Sequence, residues 1–141
     1  MEQKKFTLSI LESRFGICKL KENSEINPEV HPEVPSWVHE SNFFSITRTP
    51  EELSVVCQEN RIPADIKAEK DWKCLKIEGP LDFELTGILA GVSRVLADCE
   101  IAIFVISTYD TDYILIREKD LESAVKVLLE AGYGFSNKYC E

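Results

Sequence analysis

From Trp72 onward the hydrophobic period of the chain switches from 2 to 3.6 and back, twice, and few arrangements around a single sheet accept that order. "WKCLKIEGP" alternates Trp72, Cys74, Leu75 and Ile77 against Lys73, Lys76 and Glu78 and stops at Gly79-Pro80, as a strand running into a turn does. Phe83 to Cys99 then places Leu85, Ile88, Leu89, Val92, Val95 and Leu96 on one helical face, with Asp82 in position to cap it. Gly87 and Gly91 stand four apart in that helix, each costing about 1 kcal/mol relative to alanine, so the pair predicts the close approach of another backbone. Ile101 to Ile106 is a continuous apolar strand suited to burial on both faces, and Tyr113 to Arg117 is its expected hairpin mate. Asp120 is set to cap a second helix with Leu121, Ala124, Val125, Leu128 and Leu129 on one face; Gly132 ends it, and "YGFSNKY" supplies a last edge strand.

The order strand, helix, strand, strand, helix, strand predicts an α+β fold, a ferredoxin-like (βαββαβ) sandwich with both helices on one face of a four-stranded antiparallel sheet. The residues before it follow a different plan. Phe6 to Leu11 and Phe15 to Leu20 read as short strands across the turn at 12–14, and Phe43 to Arg48 and Leu53 to Cys57 as a hairpin across Thr-Pro-Glu-Glu. Between them the proline-rich run "KENSEINPEVHPEVP" excludes a long helix, and "SWVHES" holds one helical turn at most. Four strands with almost no helix predict a second, degenerate module, so the expected division is 1–66 for that module and 67–141 for the ferredoxin-like domain.

Sixteen Lys plus Arg against 25 Asp plus Glu give a net charge of −9, which repels phosphate backbones and anionic membrane surfaces. Nucleic acid and membrane are therefore not expected partners. The N-terminal apolar run is broken at Ser9, Glu12 and Arg14, so neither a signal peptide nor a span is read there, and the expected location is cytoplasmic. Five cysteines without a C-x-x-C read as reduced thiols, with Cys57, Cys74 and Cys99 inside apolar runs. Ser107 and Thr108 lack a nearby base, since His31 and His39 both belong to the proline-rich region, and those histidines form no metal-ligand pattern. No phosphate loop follows a strand. The expectation is a protein without catalytic residues, metal or cofactor.

The carboxylates of "STYDTDYILI" are the remaining polar feature. Asp110 and Asp112 both suit a turn, Asp110 by bonding backbone amides, and Asp112 also suits bidentate contact with a guanidinium. Together with "SITRTPEELS" and "GPLDFELTGILAGVSRVLADCEIAIFVI", this stretch resembles the tandem ACT-domain proteins, the group of the animal cytosolic arginine sensors and the regulatory part of aspartate kinases. The resemblance implies two ACT modules, the first short and irregular, and a regulatory role for an amino acid ligand that is relayed to a protein effector. By resemblance, Asp82, Phe83, Glu84, Leu85 and Thr86 correspond to the loop that takes the ligand's α-amino and α-carboxylate groups. Ala102 and Ile103 correspond to the segment across the interface, and Asp112 to the carboxylate that meets a cationic end. Because the chain resembles one half of the animal sensor, the resemblance also implies a homodimer. The alternative, from the residues alone, is a structural interaction module in which Asp82 and Glu84 cap a helix, Asp110 and Asp112 saturate a turn, and no small molecule binds.

Overall fold

The computed structural model describes residues 6–20, 34–79, 82 and 86–136. In chain order the elements are β1 (Thr7–Ile10), β2 (Phe15–Leu20), α1 (Ser36–His39), β3 (Phe44–Arg48), β4 (Leu53–Gln58), β5 (Ala68–Ile77), α2 (Ile88–Asp98), β6 (Ile103–Ser107), β7 (Asp112–Arg117), α3 (Leu121–Glu130) and β8 (Gly134–Phe135). They divide into two compact units, one of Met1–Glu12 with Trp72–Glu141, the other of Ser13–Asp71.

In the first unit the strands run in the order β6-β7-β5-β1-β8. The βαββαβ succession is there, α+β as the sequence predicts, but the N-terminal strand enters it. β1 lies antiparallel to β5 with Leu8 opposite Ile77, and parallel to β8 with Leu8 opposite Phe135. The sequence division at residue 66 assigned this strand to the other module; in the structure it completes the sheet of the second. The alternation of Leu8 and Ile10 explains the choice, since both add to the core beneath the helices: Leu75, Ile77, Val92, Leu96, Ile114, Ile116, Ala124 and Leu128. Each Leu, Ile or Val among them contributes about 1.5–3 kcal/mol when taken fully out of water.

Both helices end in the same way. Gly132, at φ 101°, lets Tyr133 N–H reach Leu128 O and Gly132 N–H reach Leu129 O, both at 3.0 Å, while Tyr133 packs in the core with Leu128. The end of α2 repeats the pattern without a glycine: Glu100 sits at φ 57°, Ile101 N–H donates to Leu96 O at 3.0 Å, and Glu100 N–H to Ala97 O at 2.9 Å. The beginnings depart from expectation. α2 starts at Ile88 rather than Phe83, and its N-cap is Gly87 at φ 81°, not Asp82. Asp120 occupies the N-cap position of α3 but makes no side-chain cap bond, because a 3-10 turn over Glu118–Asp120 already holds it at helical dihedrals. At Gly91, a Cβ would stand 2.7 Å from Tyr133 Oη, so the close neighbour is a side chain rather than a second backbone.

The second unit is strand-rich, ordered β3-β4-β2 and antiparallel throughout. Cys18, Leu20, Val38, Leu53, Val55, Cys57 and Ile62 form its core. The β3–β4 turn closes as the sequence predicts: Thr49 N–H donates to Glu52 O at 2.9 Å, and Thr49 Oγ1 accepts from the N–H groups of Glu51 and Glu52. The Cys57 thiol donates toward Cys18, and that shared bond holds Cys18 below and Cys57 above the ordinary thiol range. Burial pushes the Cys74 thiol up to about 12. Cys99, expected in an apolar environment, is exposed because it stands one residue past the last turn of α2. The proline-rich segment lies largely outside the described residues, as does Cys140. Among the described residues no helix is long and apolar enough to cross a membrane.

Candidate functional site

β6 and β7 pair from Ile103 opposite Ile116 to Ser107 opposite Asp112, leaving a four-residue loop. Thr108 and Thr111 hold that loop. Thr108 N–H donates to Thr111 O at 2.8 Å, Thr108 Oγ1 donates to the same carbonyl at 3.1 Å, and the buried Thr111 Oγ1 donates to Ile77 O at 2.5 Å, tying the loop to the end of β5. The sequence reading gave the turn amides to Asp110; the threonines take that role, and Asp110 is exposed. Side chains alternate along a strand, so Asp112 shares the face of Ile114 and Ile116, the face that carries the helices. It is half-buried and accepts a hydrogen bond from Ser107 Oγ at 2.5 Å.

This placement brings Asp112 to the first turn of α2. A cleft of about 280 Å³ lies there, lined by Asp82, by 87–90 at the helix start, and by 107–112 of the hairpin. Gly87 has no side chain to cap the helix, no acidic residue stands in the first turn, and a Cβ at Gly87 would meet nothing within 4 Å. The opening N–H groups of a helix have no intrahelical acceptors and carry the positive end of its dipole. Three carboxylates, Asp82, Asp110 and Asp112, line the cleft, and among the described residues no cationic side chain does. The helix start therefore attracts an anion and the carboxylates a cation.

Of the residues proposed from sequence, the structure brings Asp82 and Asp112 together. Thr86 is exposed immediately before Gly87, and Phe83, Glu84 and Leu85 lie outside the described residues. Ile103 is at the far end of β6, four strand positions from Ser107, Ala102 stands immediately before it, and both are outside the cleft lining. Sequence reasoning missed Gly87 as the cap and Ser107 as the partner of Asp112. The second was legible in principle, because a four-residue loop between "IFVIS" and "DYILIR" sets those two residues opposite each other.

Residues 67–130 match the family model described as ACT domain, and residues 13–65 match a second model, described as the N-terminal domain of another protein family. Among curated proteins, the cytosolic arginine sensor for mTORC1 subunit 1 of Bos taurus is 31% identical over 99 residues, covering 61% of this chain and 30% of the sensor. Its Homo sapiens counterpart is 30% identical over 101 residues, with 62% and 30% covered. The chain thus spans about a third of the length of these relatives. Among solved structures, a protein of Agrobacterium tumefaciens superposes with a TM-score of 0.82 at 35% identity, over 99% of both chains. The aspartate kinase of Clostridium acetobutylicum superposes at 0.68 with 13% identity, over 94% of this chain and 36% of the kinase, a likeness of fold. With the family-model match, residues 67–130 are an ACT domain, the family to which this part of the chain belongs.

Proposed function

We propose that this chain is a non-catalytic regulatory protein that binds an amino acid at an ACT–ACT interface between two copies and relays its occupancy to a protein effector. The observation that carries the reading is the dipolar cleft: a helix start whose N-cap is a glycine suits an α-carboxylate, and Asp82 and Asp112 suit an ammonium or guanidinium. A cationic amino acid fits its three carboxylates. The curated relatives are named as arginine sensors of the cytosol, and we read this chain as a cytoplasmic sensor of the same kind.

The position of Ala102 and Ile103 supports a composite site. Among the described residues of the first unit, β6 pairs only with β7 and leaves its other edge, of Ile103 to Ile106, half-exposed. Antiparallel addition of a second β6 along that edge sets the start of one strand beside the end of the other. Ala102 and Ile103 of the partner subunit then arrive next to Ser107 and the cleft. A ligand held there regulates an effector only by favouring one dimer state over another.

A thermal-shift screen of the twenty amino acids at concentrations up to millimolar tests this reading. One or a few should raise the melting temperature, and Asp112→Ala should abolish the rise while the variant still folds. The Ser107–Asp112 bond favours a second reading, an interaction module without a small ligand, in which Asp112 merely secures the hairpin. No shift with any amino acid, and only the loss of about 0.5–1.5 kcal/mol that a hydrogen bond is worth on Asp112→Ala, would decide for that reading.

A further inference from the structure

A groove of about 610 Å³ runs along α3, lined by Ile10, Leu121, Val125 and Leu129, with Glu122, Lys126 and Glu130 on one flank. Leu129 is 52% exposed, and Leu121 and Val125 are half-buried. Residues four apart share a helix face, so the three form one apolar stripe. The stripe lies against β1, three strands across the sheet from β6, and is a separate surface from the edge assigned to ligand sensing.

We propose that a second copy of this chain covers the groove, α3 packing antiparallel on its counterpart about a two-fold axis level with Ala124. At a rise of about 1.5 Å per residue, Leu121 stands about 4.5 Å below the axis, Val125 about 1.5 Å above it and Leu129 about 7.5 Å above it. The two-fold sends the same three residues of the partner subunit to the opposite heights. Six apolar side chains then interleave at steps of about 3 Å, as knobs into gaps. In that register Glu122 comes level with Lys126 of the partner subunit, and symmetry makes the ion pair twice.

Charge favours a like chain over another occupant. At −9 the protein attracts cationic partners in general, and such a partner would meet Lys126 in the middle of this flank. A copy of the same helix meets Lys126 with Glu122 instead. Two copies also repel each other overall, so an interface between them needs opposite charges placed reciprocally, and an alternation of Glu, Lys and Glu every four residues provides them.

Light scattering on the full chain and its variants at low salt tests the proposal. Glu122→Lys and Lys126→Glu should each lower the mass of the assembly, the double variant E122K/K126E should restore it, and Leu129→Glu should lower it without rescue. Circular dichroism checks that each variant is folded. The proposal is overturned if the single reversals and Leu129→Glu leave the mass unchanged, the result expected when a different protein or none fills the groove. It is overturned equally if the single reversals lower the mass and the double variant does not restore it. Amino-acid thermal shifts read on the same variants are independent of α3, so a failure here is distinct from a failure of the sensing reading.

Discussion

Gly91→Ala sets two effects of similar size against each other, and the structure decides which wins. Replacing an interior helical glycine with alanine favours the helix by about 1 kcal/mol. The new Cβ, however, would lie 2.7 Å from Tyr133 Oη, whereas ordinary contact begins at 3.4 Å, so about 0.7 Å must be found. Tyr133 is a rigid ring on two torsions, 7% exposed and packed with Val92 and Leu128. Overpacking of that kind costs about 1–3 kcal/mol. The balance is a net loss of about 1 kcal/mol, or a fall of about 4 °C in Tm for a chain of this size. Removing the hydroxyl releases the clash: in a Tyr133→Phe background the same Gly91→Ala change should stabilise by about 1 kcal/mol, giving a coupling near 2 kcal/mol. Urea unfolding of the four proteins, followed by far-ultraviolet circular dichroism, closes the cycle. An equal effect of Gly91→Ala in both backgrounds would refute the reasoning.

Glu100→Gly should stabilise the protein by about 1 kcal/mol, because Glu100 is a solvent-exposed non-glycine residue held at φ 57° to end α2; an unchanged or lower unfolding midpoint would contradict this. Gly87→Ala should cost about 1–2 kcal/mol from φ 81° alone, since its Cβ meets nothing, and Gly87→Asn should cost less; equal losses would point to a cause other than backbone conformation. Thiol labelling located by mass spectrometry should find Cys99 reactive in the native protein and Cys18, Cys57 and Cys74 protected until unfolding. The Cys74 thiol is raised from 9.0 to about 12 by burial, so above pH 9 the unfolded chain loses its proton first. Its contribution, full below pH 9, should therefore fall by up to about 4 kcal/mol as pH rises toward 12, and the alkaline loss of stability should be shallower in Cys74→Ala.

The sequence alone determined what neighbours along the chain decide. The stripe from Ile88 to Leu96, the alternation after Trp72, Gly132 past the end of α3 and Thr49-Pro50 in the β3–β4 turn each depend on interactions within a few residues, and the structure places each element there. Tertiary structure decided what depends on partners distant in the chain. Leu8 and Ile10 read as a strand, but only the shared core with Leu75, Ile77, Val92 and Leu128 draws that strand into the first unit, between β5 and β8. Glu100 carries no local sign of a left-handed conformation; burial of Ile101 with Leu96 imposes it. The candidate site divides along the same line. Asp112 could be singled out from its hairpin, yet its place in one cleft with Asp82 and the glycine-capped start of α2 follows from Thr111 fastening the loop to β5 and from Gly87 opening the helix five residues later than its periodicity suggests. Local propensity selects elements, whereas register and packing select which of their ends converge, and a binding cleft is made of converging ends.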